Sequence, residues 1–178
     1  MKQMQLLFEK IVEQGLWSKK LALKKNEYLK VSGTTDTNLY FVMKGSLRIF
    51  VLDDRNEHTI RFGYKNNLIG DLESFITESP SEYYIQAIKA TQLKVVTKQT
   101  ILQLNESAPE LQKNWTEILE LVLIQQLARE RDLLTISPVE RLQRVSKRSP
   151  LLFQEIPSKY IASYLRMTPE TLSRIKKG

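Results

Sequence analysis

The chain has 178 residues, enough for one large domain or two small ones, and its apolar fraction of 42% supports an ordinary buried core. It has no cysteine and one histidine, His58, which excludes disulfides, thiolate catalysis, iron–sulfur clusters and any His-rich metal site. The formal net charge of +7 is uneven, with +4 on residues 1–104, −3 on 105–136 and +6 on 137–178; the last part carries the electrostatic footprint of a polyanion-binding module, or more plainly a solvated basic face.

No run is long and apolar enough to span a membrane, and the most apolar stretch, Ile118 to Ile124, contains Glu120. The N-terminus lacks the apolar core of a signal peptide. With cysteine absent, a cytoplasmic location is expected.

Residues 3–14 repeat at helical spacing through Met4, Leu7, Phe8, Ile11 and Val12, and Gly15 is a stop. From Tyr28 the pattern changes to short β-rich runs: Tyr28-Val31, Leu39-Lys44, Ser46-Leu52, His58-Tyr64, Tyr83-Ile88 and Gln92-Thr97. Turn residues separate them, including Ser32-Gly33, Lys44-Gly45, Asp53-Asp54-Arg55-Asn56 and Asn66-Asn67. Short strands with regular turns argue for a small barrel or jelly roll.

A helix is expected from Ala108 to Leu134, about 40 Å long at 1.5 Å per residue. Leu111, Trp115, Ile118 and Val122 form one apolar row, while Leu119, Leu121, Leu123, Ile124 and Leu127 widen it to most of the circumference. One face suffices to dock on the strands. The other needs a second partner, and a copy of the same helix is the simplest; the plainer reading is a helix buried within one chain.

Ser137-Pro138 starts a further helix to about Arg148, with Val139, Leu142 and Val145 inward, and Ser149-Pro150 ends it. The Leu151-Leu152-Phe153 run leads to two short helices between Ile156 and Lys177. Tyr160, Ile161, Tyr164 and Leu165 give the first a buried face, and small Ala162 admits a close crossing. Arg166 and Met167 form the turn. Thr168-Pro169-Glu170 then supplies an N-cap, a proline at the first helical position and an acid in the first turn. Leu172 and Ile175 point inward, leaving Glu170, Thr171, Ser173, Arg174, Lys176 and Lys177 outside. A polar and basic outer face suits a major-groove reading helix; the plainer reading is a common helix start followed by a Glu170–Arg174 surface pair.

The run Leu39-Tyr40-Phe41-Val42-Met43-Lys44-Gly45-Ser46-Leu47-Arg48-Ile49, with Leu68-Ile69-Gly70-Asp71-Leu72 after it, resembles the sensor domain of the Crp/Fnr transcription regulators. Ile161-Ala162 followed by Thr168-Pro169-Glu170-Thr171-Leu172-Ser173-Arg174-Ile175 resembles their recognition unit. The resemblance covers nearly the whole chain. It implies an α+β fold: an N-terminal β-roll (double-stranded jelly roll) sensor over 1–104, a long dimerisation helix over 105–136 and a C-terminal helix-turn-helix domain over 137–178. It places base contacts at Glu170 and Arg174 and a DNA contact at Thr171. Thr168, Ser173, Lys176 and Lys177 complete the expected DNA-binding set. Pro169 stands where some relatives use another Arg, and Arg166 where the turn often has Gly. The wing that follows the recognition helix in that family has no counterpart before Gly178, so phosphate contacts are expected from the helices and from Arg141, Arg144, Lys147, Arg148 and Lys159.

In that family the phosphate-binding cassette opens with Gly-Glu-Leu, whose Glu holds the ribose, and closes with an Arg and a small hydroxyl residue, the Arg holding the cyclic phosphate. Here the opening is Gly70-Asp71-Leu72, and an ungapped count puts Ser81-Glu82 at the Arg-Ser pair. Residues 66–88 contain no Lys or Arg, while Asp71, Glu73, Glu78 and Glu82 make the stretch −4. The expected pocket, Gly70, Asp71, Leu72, Ser81 and Glu82, is therefore unsuited to cyclic AMP or cyclic GMP and better suited to a neutral or apolar ligand, or to none. The function implied is a homodimeric regulator of double-stranded DNA answering to an unidentified signal. The rival is a cyclic-nucleotide-type sensor or interaction module whose wingless C-terminal unit no longer binds DNA. No metal, cofactor or membrane partner is implied, and no nucleophile–base pair points to an enzyme.

Overall fold

The computed structural model describes residues 2–54 and 56–177, with side chains from residue 6 onward and without Arg55. The side chain of Met4, one of the residues read at helical spacing, and Arg55 of the Asp53–Asn56 turn lie outside what is described. The order is α1 (Lys2–Glu13), β1 (Lys19–Leu23), β2 (Tyr28–Lys30), β3 (Leu39–Lys44), β4 (Ser46–Asp53), β5 (Asn56–Tyr64), β6 (Leu68–Ile69), α2 (Leu72–Thr77), β7 (Tyr84–Ala87), β8 (Thr91–Val96), α3 (Lys98–Ser107) and α4 (Pro109–Leu134). Then follow α5 (Pro138–Arg148), α6 (Leu152–Glu155), α7 (Ser158–Tyr164) and α8 (Pro169–Lys177). No described helix is long and apolar enough to cross a membrane.

Among the described residues, eight strands form two antiparallel four-stranded sheets, β1-β8-β3-β6 and β2-β7-β4-β5, which face each other as a β-roll. Between them pack Tyr40, Val42, Leu47, Ile49, Ile69, Ile85, Leu93 and Val95. β3 is buried on both faces, hence its unbroken apolar run. Tyr40 and Val42 enter the roll, while Leu39 joins the helical layer and Phe41 stacks on Phe8 of α1 with ring centroids 4.0 Å apart. The β3–β4 hairpin needs Gly45: its φ is +87°, and a Cβ there would collide with the Ala90 carbonyl and Thr91.

The second layer joins α1, α3 and α4 to the outside of the first sheet. Leu7 and Ile11 meet Ile101, Leu104, Leu111 and Ile118, while Val12 turns outward. Thr97 caps α3 by accepting from the Thr100 amide. The sequence reading contains neither this helix nor β1, β6, α2 or α6. The row Leu111, Trp115, Ile118 and Val122 of α4 faces the roll, with Leu111 and Ile118 buried, so Val122 is not in the dimer seam where it was expected, whereas Leu123, Ile124 and Leu127 are at least half exposed.

The C-terminal unit has four helices rather than three, around Val145, Leu152, Ile156, Ile161, Ala162, Leu165 and Leu172. Val139, expected inward, is 45% exposed because the first turn of α5 lies beyond that core. The core continues onto Phe62, Tyr64 and Ile88 of the roll.

Candidate functional site

Helices α7 and α8 pack against each other across a tight turn, the place of the expected helix-turn-helix. Ala162, fully buried, lets the helices approach, and Leu172 is buried against the first helix while Ile175 is half-buried. The turn closes with the Met167 amide donating to the Ala162 carbonyl (3.0 Å) and the Arg166 amide donating to the Ser163 carbonyl (3.1 Å). That pattern requires a left-handed residue, and Arg166 supplies it at φ +53° where glycine would adopt it without strain. Thr168 caps α8 by accepting from the Thr171 amide at 3.2 Å.

The expected DNA-binding residues fall into distinct settings. Pro169, Glu170, Ser173, Arg174 and Lys177 line one continuous exposed face of α8. Thr168 is engaged as the cap and Thr171, half-buried, lies against it with hydroxyls 3.1 Å apart. Lys176 turns the other way, donating to Ser158 Oγ at 3.4 Å with its ammonium 5.1 Å from the Phe153 ring centre. No Glu170–Arg174 ion pair forms among the described residues. The helix start and the Thr168 hydroxyl hold the Glu170 carboxyl below its ordinary pKa.

Three of the basic residues named as possible phosphate contacts, Arg141, Arg144 and Arg148, have partners within the chain. Asp132, near the end of α4 and fully buried, receives Arg144 Nε at 3.0 Å and a shorter bond from Arg148. Burial works to raise the Asp132 pKa, but the two guanidinium bonds outweigh it and hold the carboxyl below its ordinary value. Arg141 donates to the carbonyls of Thr135 (2.7 Å) and Arg166 (3.3 Å), tying the α4–α5 link to the α7–α8 turn. An isolated buried Asp would be costly, so these arginines are drawn inward.

The same unit is fastened to the roll. Ser163 Oγ accepts from the Thr59 amide (3.1 Å) and donates to the Glu57 carbonyl (2.9 Å), which joins α7 to β5. Tyr164 packs on Phe62 with ring centroids 5.4 Å apart, and the Arg129 guanidinium of α4 lies 3.8 Å from the centre of its ring. Sequence reading misses this seam because its residues look like ordinary strand and helix positions.

The expected ligand residues divide between two places. Asp71 and Ser81 are buried in a closed polar cluster with Lys30 of β2. Lys30 Nζ is 3.0 Å from Asp71 Oδ2 and donates to Ser81 Oγ (3.0 Å) and the Tyr83 carbonyl (3.1 Å). Ser81 Oγ donates a short bond to Asp71, and the Ser74 amide donates to Asp71 Oδ1 at 3.1 Å as the cap of α2. Burial works to raise the Asp71 pKa, but Ser81, the Ser74 amide and Lys30 together hold it below its ordinary value. The local −4 charge is thus partly met by a cation from a distant strand. Glu82 is exposed and outside the cluster. Gly70 and Leu72 instead line a narrow cleft between the roll and α4, with Leu39, Trp115, Ile118 and Val122. A Cβ at Gly70 would come within 2.9 Å of the Asn38 carbonyl and of Leu39, so the segment packs closely there.

Residues 20–107 match the family described as the cyclic nucleotide-binding domain. The chain thus carries a domain of that family, in the β-roll and long-helix architecture of Crp/Fnr-family transcription regulators. Among solved structures it is similar to a cyclic nucleotide-binding domain containing protein from Listeria monocytogenes EGD-e (TM-score 0.72, 14% identity, covering 98% of this chain and 89% of that one). It is also similar to FixK2 from Bradyrhizobium japonicum (TM-score 0.71, 17% identity, 89% and 82% covered). A third similar structure is a transcriptional regulator of the CRP/FNR family from Thermus thermophilus (TM-score 0.64, 18% identity, 88% and 83% covered). At these identities the likeness establishes the fold. No curated protein matches the chain significantly.

Proposed function

We propose that this protein is a dimeric, sequence-specific DNA-binding transcription regulator rather than an enzyme. In this reading residues 1–104 are the sensor, 105–136 the dimer helix and 137–178 the DNA-reading unit. The observation that carries it is the exposed face of α8: Glu170, Ser173, Arg174 and Lys177 stand together on a helix whose opposite side is packed on α7. Arg174 can bond a guanine edge and Lys177 a phosphate. The exposed Leu123, Ile124 and Leu127 on α4 support the dimer, because two copies of that face would cover each other.

Although the roll belongs to the cyclic nucleotide-binding domain family, the Lys30–Asp71–Ser81 cluster supports a signal other than cyclic AMP or cyclic GMP. Asp71 is satisfied by the chain itself, leaving no free carboxylate for a ribose, and no arginine stands at residues 66–88 to receive the phosphate. The test is duplex binding measured against salt. Arg174→Ala should cost about 1–3 kcal/mol on the best site and relax preference at one base pair. Lys177→Ala should weaken all sequences alike and flatten the salt slope. Equal loss by Arg174→Ala on specific and random duplexes would contradict the base-reading role, and absence of duplex binding would favour an interaction module.

A further inference from the structure

Strand β1 lies at the open edge of its sheet, paired with β8 on one side and, among the described residues, with no strand on the other. Lys19, Lys20 and Ala22 are exposed, so a further chain can reach that edge. The edge is strongly basic. Residues 19–25 hold four lysines and no acid, a charge equal to the whole +4 excess of residues 1–104. Lys94 of β8 stands directly opposite Lys20, and Lys44 of β3 stands opposite Gln92, one row along. Among the described residues Lys19, Lys20, Lys24, Lys25, Lys44 and Lys94 have no carboxylate oxygen within 4.0 Å of their ammonium groups, whereas Lys10, Lys30, Lys89 and Lys98 each have one. Glu27, just past the lysine pair, is held by the Lys24 backbone amide at 2.8 Å. The Lys94 ammonium lies over the rings of Trp17 and Phe8 instead, 5.1 and 5.9 Å from their centres. A lysine on an edge strand commonly guards against pairing with another chain, which explains Lys19 and Lys20. It does not explain Lys94, because β8 is an interior strand and a like charge directly opposite Lys20 costs stability.

We propose that β1 takes an extended acidic segment of another protein as an added strand, with backbone hydrogen bonds along the open edge and Asp or Glu side chains against Lys20, Lys94 and the Lys24-Lys25 turn. The charge selects among occupants. A second copy would set its own β1 lysines against these and be repelled, so the same residues that admit an acidic strand reject this chain itself. Duplex DNA fits the edge less well. It offers phosphates but no strand, and would leave the free backbone groups of β1 unused. The C-terminal unit, moreover, packs on Phe62 and Tyr64 of β5, in the other sheet, so the basic edge is not an extension of the α8 face. The strand has five residues, about 17 Å at 3.3 Å each, so a short segment suffices. The proposal does not depend on the regulator reading, since it uses no residue of α8.

The test is backbone NMR of the intact protein titrated with a peptide of alternating Glu and Val, about ten residues long so that it spans the strand. The amide signals of residues 19–25 and of Gln92 to Lys94 should move saturably, and β1 amides should gain protection from hydrogen exchange. Two comparison peptides, one of alternating Glu and Pro with the same charge but half its amide donors missing and one of alternating Lys and Val, should bind at least about tenfold more weakly. Lys20→Glu should lose at least about tenfold in affinity for the Glu-Val peptide yet melt no lower than the parent, because it turns a repelling cross-strand pair with Lys94 into an attracting one. Lys24→Glu with Lys25→Glu should weaken the peptide as well. No movement at β1 up to about 1 mM peptide, roughly the weakest affinity that makes a site, would overturn the proposal. Equal binding of the Glu-Pro peptide would overturn it too, since charge alone would then suffice without strand pairing. So would unchanged affinity in Lys20→Glu, or a random-sequence duplex that moves the β1 signals at lower concentration than the peptide in protein carrying Arg174→Ala and Lys177→Ala.

Discussion

Lys30 shows how much a single distant residue can change a site. Its side chain and that of Asp71 are essentially inaccessible, and breaking such a pair from one side leaves a buried charge alone. Lys30→Met should therefore destabilise the fold by about 3–5 kcal/mol, whereas Lys30→Met with Asp71→Leu should recover much of that loss in denaturant titration. The pH dependence follows from the depressed Asp71 pKa. The stability it supplies is complete above the unfolded-chain value of about 3.9 and is lost as pH falls through the lower folded-state value. The gap between the parent and Asp71→Asn should be full at pH 7 and close below about pH 4. At the α7–α8 turn, Arg166 bears the strain of a left-handed backbone, so Arg166→Gly should not lower the melting temperature and is expected to add up to about 1 kcal/mol. These residues mark the limit of sequence reading. Asp71 and Ser81 are visible as a pair, but Lys30 sits in a short strand far from both, and only the β2–β7 pairing brings it to them.

At the level of elements, legibility follows length and periodicity. The β3 strand and α5 are readable to their ends, because a continuous apolar run and a Ser-Pro cap leave little choice. The two-residue β6, the six-residue α2 and the four-residue α6 carry too few residues to show a period, and they exist because tertiary packing holds them. In α4 the two apolar faces are legible, but their assignment is not. Val122 lies against the roll cleft, so a charge there would strike the intrachain packing. Leu123 and Leu127 are the better probes, being 59% and 50% exposed. Leu123→Glu combined with Leu127→Glu should leave a folded monomer in sedimentation, because it sets like charges against each other in an apolar seam. A folded dimer of unchanged affinity would place the seam elsewhere.

For the whole molecule, the arrangement makes the C-terminal helical unit a continuation of the roll. Phe62 and Tyr64 of β5 enter the C-terminal core, Ser163 is hydrogen-bonded on both sides to β5, and Arg129 of α4 covers Tyr164. A change in how α4 sits on the roll would therefore be felt at α7 and at the angle of α8, which is the form a population shift would take here. The basic excess of residues 137–178 points to this unit from composition alone, yet Arg144 and Arg148 are engaged by Asp132 and Arg141 by backbone carbonyls. What remains for a polyanion is Arg174 and Lys177 on α8, with Lys147, Lys159 and Arg166 also exposed elsewhere in the unit.

The most direct measurement is selection of duplexes from a random pool by the intact protein. Two recognition helices related by a two-fold axis should enrich a palindromic motif with half-sites about 34 Å apart, one turn of the double helix. Arg174→Ala should degrade that motif at one position in each half. Enrichment of no motif, or of one without two-fold symmetry that Arg174→Ala leaves unchanged, would contradict the account.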